Sequence, residues 1–228
     1  MNYVIVILGV IIILLIYVLI RYIMVTSTEL TAKANLNEDI GSVPIKNGPS
    51  NTSYCYGLWI YVNSWDMSKE KTIFNRTDNI QLYLDQNSPV LKCDLLMTDG
   101  SSKTIEITDN FPLQKWVHIM ISVDNQYVDC YLDGKLLRSG RAYYETDEQI
   151  TTPKQPPSVD KEMKLGGNTK FDAYITKFKH WDEAVNPETA YSAYMEGNGQ
   201  GVSNFMSNYG LDVLVKKDDV EQSKFTLF

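Results

Sequence analysis

The chain opens on an unbroken apolar run and then changes rhythm. From Asn2 to Ile20 it reads NYVIVILGVIIILLIYVLI, with no charge before Arg21. At a helical rise of 1.5 Å per residue this run reaches about 28 Å, close to the roughly 30 Å of bilayer hydrocarbon. Ile12 falls in its middle, while Tyr3, Tyr17 and Tyr22 fall near its ends, where amphipathic rings favour the membrane interface. A cleaved signal peptide is the poorer reading: no Lys or Arg precedes the run, and no small-residue cleavage site follows Arg21. A buried core helix fits less well still, because the run is apolar on every face. Residues 1–22 are therefore expected to be one transmembrane anchor, with Tyr3, Ile12, Tyr17 and Arg21 marking its ends and centre.

Beyond the anchor the period drops to two. Leu58, Ile60 and Val62 alternate with Trp59 and Tyr61, and Ile80, Leu82 and Leu84 alternate with Gln81 and Tyr83. Leu91, Cys93, Leu95 and Met97 form a third set that ends at the turn Thr98-Asp99-Gly100, and Ile105 and Ile107 follow. Val117, Ile119, Ile121 and Val123 alternate with His118, Met120 and Ser122; Asp124-Asn125 then turns the chain into Val128, Cys130 and Leu132, and Asp133-Gly134 turns it again. Alternation at this density, with turns every 8 to 12 residues, predicts an all-β antiparallel sandwich. Further strands are expected at Met163–Leu165, Ala173–Trp181 and Leu211–Val215, and a short helix over PETAYSAYMEG, with Pro187 in its first turn and Gly197 past its end.

Two stretches break the rhythm. Residues 23–53 read as a juxtamembrane segment and linker: VTSTELTAKANLNED could prolong the helix, and GSVPIKNGPSNTS is turn chemistry. Residues 139–162 are polar with three prolines and read as a long surface loop. The sandwich with its C-terminal tail is then expected over residues 54–228.

Composition narrows the function. A net charge of −7 provides no basic footprint for nucleic acid. The three cysteines lack C-x-x-C spacing, so neither a disulfide framework nor a zinc site is expected, and Cys93 and Cys130 fall on the core-facing alternation as free thiols. The basic residues near the anchor, Arg21 and Lys33, lie on its C-terminal side, which places the main domain on the cytosolic side. The sequons Asn51-Thr52-Ser53 and Asn75-Arg76-Thr77 pull the other way.

Three blocks carry a resemblance: YGLWIYVNSW, KWVHIMISVDNQYVDCYLDGKLL and MKLGGNTKFDAYITKFKHWDEAVNPETAYSAYMEG. In this order they resemble the laminin-G-like members of the concanavalin-A-like lectin/glucanase superfamily, over most of residues 54–197. The resemblance implies a two-sheet jelly roll. Calcium is common in laminin-G-like domains, with Asp78, Asp85, Asp94, Asp99 and Asp109 as loop or strand-end candidates. No dense Asp-x-Asp run accompanies them, and no cofactor is expected.

Catalytic chemistry is sparse. Glycosidases of this fold use paired carboxylates on one strand; the nearest match, Glu145-Thr146-Asp147-Glu148, has Ile at position 150 and falls in the proline-rich excursion. His118 and His180 make no triad, and no Gly-x-Ser-x-Gly elbow exists. A non-catalytic protein is expected.

The outward positions of the strands are unusually aromatic. Trp59, Tyr61, Tyr83, His118, Met120, Tyr127, Asp129 and Tyr131 are expected to share the side away from the core, where a solvated face carries Thr, Lys and Glu. Such a face is covered by a sugar, by another protein, or by the chain's own residues 139–162 or 198–228. Two functions follow. The first is a membrane-anchored structural or interaction protein with protein partners; the virion of a large DNA virus, where a minor capsid protein would tie an internal membrane to the shell, is one setting. The alternative is a membrane-anchored lectin that displays the aromatic face to carbohydrate.

Overall fold

The computed structural model describes residues 3–23, 27–45, 48, 51–145, 150–158, 163–199, 212–217 and 220–226, with the side chains at 3–6, 19–23 and 212–226 left aside. Helix α1 (Tyr3–Ile23) is followed by β1 (Ser27–Asn35), β2 (Ser53–Val62), β3 (Lys71–Arg76), β4 (Ile80–Leu84), β5 (Leu91–Leu96) and β6 (Ser102–Thr108). Next come β7 (Trp116–Asp124), β8 (Tyr127–Leu132), β9 (Lys135–Arg141), the two-residue strands β10 (Tyr144–Glu145) and β11 (Ile150–Thr151), and β12 (Met163–Leu165). The chain continues through β13 (Ala173–Trp181), α2 (Pro187–Met195), β14 (Asp212–Lys217) and β15 (Val220–Thr226).

Two sheets form a sandwich. One has six strands in the order β1-β13-β2-β7-β8-β9, the other five in the order β12-β3-β4-β5-β6, and every pairing is antiparallel. Turn chemistry sets the registers. Leu132 pairs with Lys135, so the β8–β9 loop has two residues, and Asp133 (φ 48°) and Gly134 (φ 74°) both take the left-handed conformation that a type I′ hairpin demands.

Inward positions interleave as the alternation requires. Leu58, Ile60, Val117, Ile119, Ile121 and Val123 from the six-stranded sheet meet Phe74, Leu82, Leu84, Leu91, Cys93 and Leu95 from the other, all with almost no exposure. Tyr56 lies at the junction, its ring 5.4 Å from that of Phe74, 6.2 Å from Phe178 and 4.8 Å from His180. Its hydroxyl accepts a 2.6 Å hydrogen bond from Arg76, a guanidinium buried between the sheets that also donates to the Pro157 carbonyl at 2.8 Å. All three cysteines are buried and free, Cys93 and Cys130 in this core as the alternation predicts.

Several expectations need correction. The stretch read as linker and helix extension contains β1, whose residues pair along β13 from Ser27↔Trp181 to Asn35↔Tyr174. Val43 then bridges Met163, and Leu36, Val43 and Ile45 enter the core, so the sandwich begins at Ser27 rather than Tyr54. The turn residues misled here because a polar edge strand, STELTAKAN, carries little period-two signal. The excursion 139–162 includes the end of β9 and the β10–β11 ribbon, and the tail holds a hairpin rather than one strand.

Helix α1 has 21 residues, and its described side chains run from Ile7 to Val18, roughly 18 Å of rise. Among the described residues no helix is long and apolar enough to cross a membrane.

Truncating Leu82, which is fully buried at the centre of the five-stranded sheet, leaves a cavity that its neighbours cannot fill. Leu82→Ala is expected to cost about 2–5 kcal/mol, read as a lower urea midpoint with an unchanged slope. An effect below about 1 kcal/mol would mean that the two sheets do not close tightly there.

Candidate ligand groove

The aromatic face of the six-stranded sheet is closed by the chain itself. Cross-strand pairs Trp59↔His118 and Met120↔Tyr131 do bring four of the predicted residues together on one side. Helix α2 lies over them: Val185, Ala190 and Ala193 pack with Cys55, Met120, Tyr131 and Trp181 in a second apolar cluster. The Tyr194 ring stacks on Trp59 at 5.4 Å, and Trp59, His118 and Tyr131 are all buried. Among the described residues the cover is therefore α2, which lies outside the two stretches expected to supply it, and the Asn198 carbonyl accepts a 2.9 Å bond from Thr176, the cross-strand neighbour of Trp59.

The local sequence explains why the helix forms there. Asn186 caps it by accepting a 2.8 Å bond from the Thr189 amide, Pro187 occupies the first turn, and Gly197 (φ 68°) ends it. Small residues let it lie close: Ala190 and Ala193 are its buried positions, and a Cβ at Gly134 would stand 3.0 Å from Tyr194.

The other predicted residues disperse. Tyr61 is half-buried beside Trp116, Asp129 is half-buried on β8, and Tyr127 is exposed at the end of that strand. Tyr83 belongs to the opposite sheet, where its hydroxyl meets Asp94 Oδ1 at 3.3 Å; burial first, and then the Asp94 carboxylate, pushes its pKa up to about 12. Of the anchor residues, Ile12 and Tyr17 are exposed, and the side chains of Tyr3 and Arg21 lie outside those described.

The open concavity is on the five-stranded sheet, which the aromatic argument passed over. A groove of about 590 Å³ runs along β12, β3 and β4 and is walled by residues 36–42 and 166–170. Its floor is polar because the outward positions of these strands are polar. Asn75 and Gln81 are cross-strand neighbours, and their amides form a chain with Thr72 and Glu70: Asn75 to Gln81, Gln81 to Thr72 and Thr72 to Glu70, each at 3.3 Å. Bonds of that length are at the weak end of the range, so a ligand hydroxyl could replace them at small cost.

Gly167 closes one wall. A Cβ at that position would stand 2.9 Å from Thr72, so only glycine lets the backbone approach the floor so nearly. Lys170 pairs with Asp39 at 2.8 Å across the upper end, and Lys164 is exposed beside Asn75. Planar amides, hydroxyls and charges of both signs form a surface that hydrogen-bonds a polyhydroxylated ligand rather than an apolar one.

Of the acidic stretch read as the nearest glycosidase match, the described residue, Glu145, is not among the groove's lining. Glu145 lies on β10 and accepts a 2.7 Å bond from Tyr143, and Asp147 and Glu148 fall outside the described residues. Among the described residues no group of three His, Cys, Asp or Glu side chains is placed to hold a metal ion. The signal for the groove was present in sequence as the polar positions Thr72, Asn75, Gln81 and Lys164. It was masked by the more conspicuous aromatic alternates of the other sheet.

The two antiparallel sheets, with a groove open on one face, define a concanavalin-A-like sandwich fold. The laminin-G-type family profile of the concanavalin A-like lectin/glucanases superfamily matches residues 37–190, and the chain belongs to that superfamily. Among curated proteins none is a significant match. Similar solved structures include the receptor-binding domain of botulinum neurotoxin D, at 16% identity, covering 74% of this chain and 45% of that one with a TM-score of 0.51. The binding domain of botulinum neurotoxin serotype G matches at 14% identity, 75% and 46% coverage and a TM-score of 0.52. Domain 4 of an extracellular arabinanase from Geobacillus stearothermophilus, in complex with arabinotriose, matches at 20% identity, 73% and 86% coverage and a TM-score of 0.46. The chain spans less than half the length of the neurotoxin domains it matches.

Two buried histidines, His118 beneath α2 and His180 against Tyr56, make the fold acid-sensitive. Burial, then the nearby Lys179 and Lys177, holds the His118 pKa down at about 4. Burial, then Arg76, does the same for His180, although half-exposed Asp182 lies 3.3 Å from its Nδ1 and pulls the other way. Both rings are neutral when folded, and the unfolded chain takes up their protons near pH 6.5. Stability is therefore unaffected above that pH and falls as pH drops from 6.5 to 4, by on the order of 3 kcal/mol per histidine at the lower end. Urea midpoints at pH 7.5 and 4.5 are expected to differ less in His118→Gln than in the parent chain; an equal difference would contradict the assignment.

Proposed function

We propose that this protein is a membrane-tethered, non-catalytic binding module whose groove over β3, β4 and β12 takes a carbohydrate. The observation that carries this reading is the amide-lined concavity of about 590 Å³, the size and chemistry of a site for a short oligosaccharide. Membership of a superfamily that contains lectins supports the ligand class. A role without catalysis is supported by what the groove's carboxylates already do. Asp39 is paired with Lys170, Glu38 accepts a 2.6 Å bond from the Asn35 amide, and Glu70 accepts a 3.3 Å bond from the Thr72 hydroxyl, so each of the three already has a partner.

The tether is α1. Twenty-one helical residues extend about 32 Å, and Ile7, Leu8 and Ile11 to Val18 are each exposed by 46–68%, on all sides of the helix. Such a surface is stable in lipid and not in water. Arg21 and Lys33 on its C-terminal side favour a domain facing the cytosol, and three buried free thiols accord with a reducing compartment.

The same two observations favour a second reading, a scaffold that ties a membrane to a neighbouring protein layer, with an internal virion membrane as one setting. The readings separate on the ligand: a scaffold leaves the groove without affinity for glycans.

Titration of the full chain in nanodiscs against a panel of oligosaccharides is expected to yield a binder, and Gln81→Ala to weaken it about tenfold or more. Trp59→Ala, beneath α2, is expected to change stability but not the affinity of folded protein. Binding that survives Gln81→Ala and Asn75→Ala intact would remove the groove from consideration. Intact mass is the second check. Asn75 lies half-buried on the groove floor, so a glycan at its sequon would fill the site; the mature protein is expected to carry none there.

A further inference from the structure

The strand registers fix which end of the sandwich meets the bilayer. Ser27, the first residue of β1, pairs with Trp181, which pairs with Cys55, and the row continues through Ser122 to Asp129 and Ser139. The chain arrives at this row from the direction of α1. Residues 24–26 are all that separate Ile23 from Ser27, and fully extended they allow about 14 Å. The end of the sandwich beyond the Ser27 row is thereby held within reach of the end of the helix.

That end carries exposed Asp124, Asn125, Asp182 and Glu183 and, on its β8–β11 side, a group of aromatic and cationic side chains. Tyr127 pairs with Arg141 two residues beyond the row, and both are exposed, Tyr127 by 54%. The Arg141 guanidinium lies 3.9 Å from the Tyr143 ring centroid, and its Nε donates to Gln126 Oε1 at 3.0 Å. The β10–β11 ribbon then crosses from the end of β9 toward the five-stranded sheet, where Lys103 lies 4.6 Å above the Tyr144 ring. This ribbon exposes Tyr144 by 43% and Ile150 by 58%. Tyrosine, arginine and lysine with one aliphatic side chain are what a membrane interface holds: rings at the headgroup level, cations at the phosphates.

We propose that Tyr127, Arg141, Tyr143, Tyr144 and Ile150 form a rim that rests on the surface of the bilayer carrying α1. The inference depends on the reading of α1 as a membrane span. It has a consequence for the groove. Glu70, Thr72 and Lys170 lie at the opposite end of the strands, so the rim turns the upper mouth of the groove away from the bilayer. Its ligand then belongs to the facing surface and not to the lipids of its own membrane. Asp124, Glu145, Asp182 and Glu183 lie at the same end of the sandwich, so the contact requires no anionic lipid.

The test uses the full chain in phosphatidylcholine vesicles. The native thiols are buried, so single exposed cysteines can be labelled with a fluorophore: Ile150→Cys at the rim, and Met67→Cys in the loop after β2 at the other end. Quenching by lipids spin-labelled near the headgroup is expected to be about threefold or more stronger at 150 than at 67, and to fall when Tyr127 and Tyr144 are both replaced by serine. Equal quenching, or stronger quenching at 67, would overturn the rim. Carbonate extraction of the same vesicles distinguishes the two failures: a chain that stays in the membrane with equal quenching loses only the rim, and a chain that is released loses the span and the rim together.

Discussion

Everything in this domain depends on two sheets closing around a core that is not purely apolar. Tyr56 packs against Phe74, Phe178 and His180 and accepts a hydrogen bond from Arg76, a guanidinium that has entered the interior and pairs with no carboxylate among the described residues. A buried guanidinium is costly unless its donors are satisfied. The Tyr56 hydroxyl and the Pro157 carbonyl satisfy two of them, which ties β2, β3 and the segment after β11 to one another. Register follows from this knot as much as from apolar alternation. Moving β3 by one residue would turn Arg76 outward and bring Asn75, now on the groove floor, into the core.

With the interior fixed, the two outer faces have opposite fates. The face of the six-stranded sheet is aromatic and is closed by α2, which turns Ala190 and Ala193 inward and stacks Tyr194 on Trp59. The face of the five-stranded sheet is polar and stays open along its β12 edge, where Gly167 brings the backbone against Thr72. The domain thus stabilises itself on one face and leaves a polar groove open on the other. An aromatic outer face is as well explained by a packed helix as by a partner.

The sandwich was legible because inward alternation in β2, β4, β5, β7 and β8 is strict, and turns such as Asp133-Gly134 are specific to hairpins. The short helix was legible from Pro187 and Gly197. Less could be read where one physical signal imitates another. The edge strand Ser27–Asn35 is too polar and too rich in alanine to look like a strand. The groove residues Asn75 and Gln81 look like any solvated alternates until Gly167 and the 36–42 segment wall them in. Tyr83 was grouped with Trp59 because outward-facing positions in two different sheets are indistinguishable along a sequence. That α2 covers the aromatic face is a tertiary fact: the helix could be read from the chain, its docking could not.

The most direct measurement is hydrogen–deuterium exchange of the full chain in nanodiscs, with and without the oligosaccharide that binds it. Protection is expected in peptides covering residues 70–82 and 163–170, the floor and wall of the groove, with residues 187–196 unchanged. Protection confined to α2 and the strands beneath it, or none anywhere at saturating ligand, would contradict the assignment of the groove as the binding site.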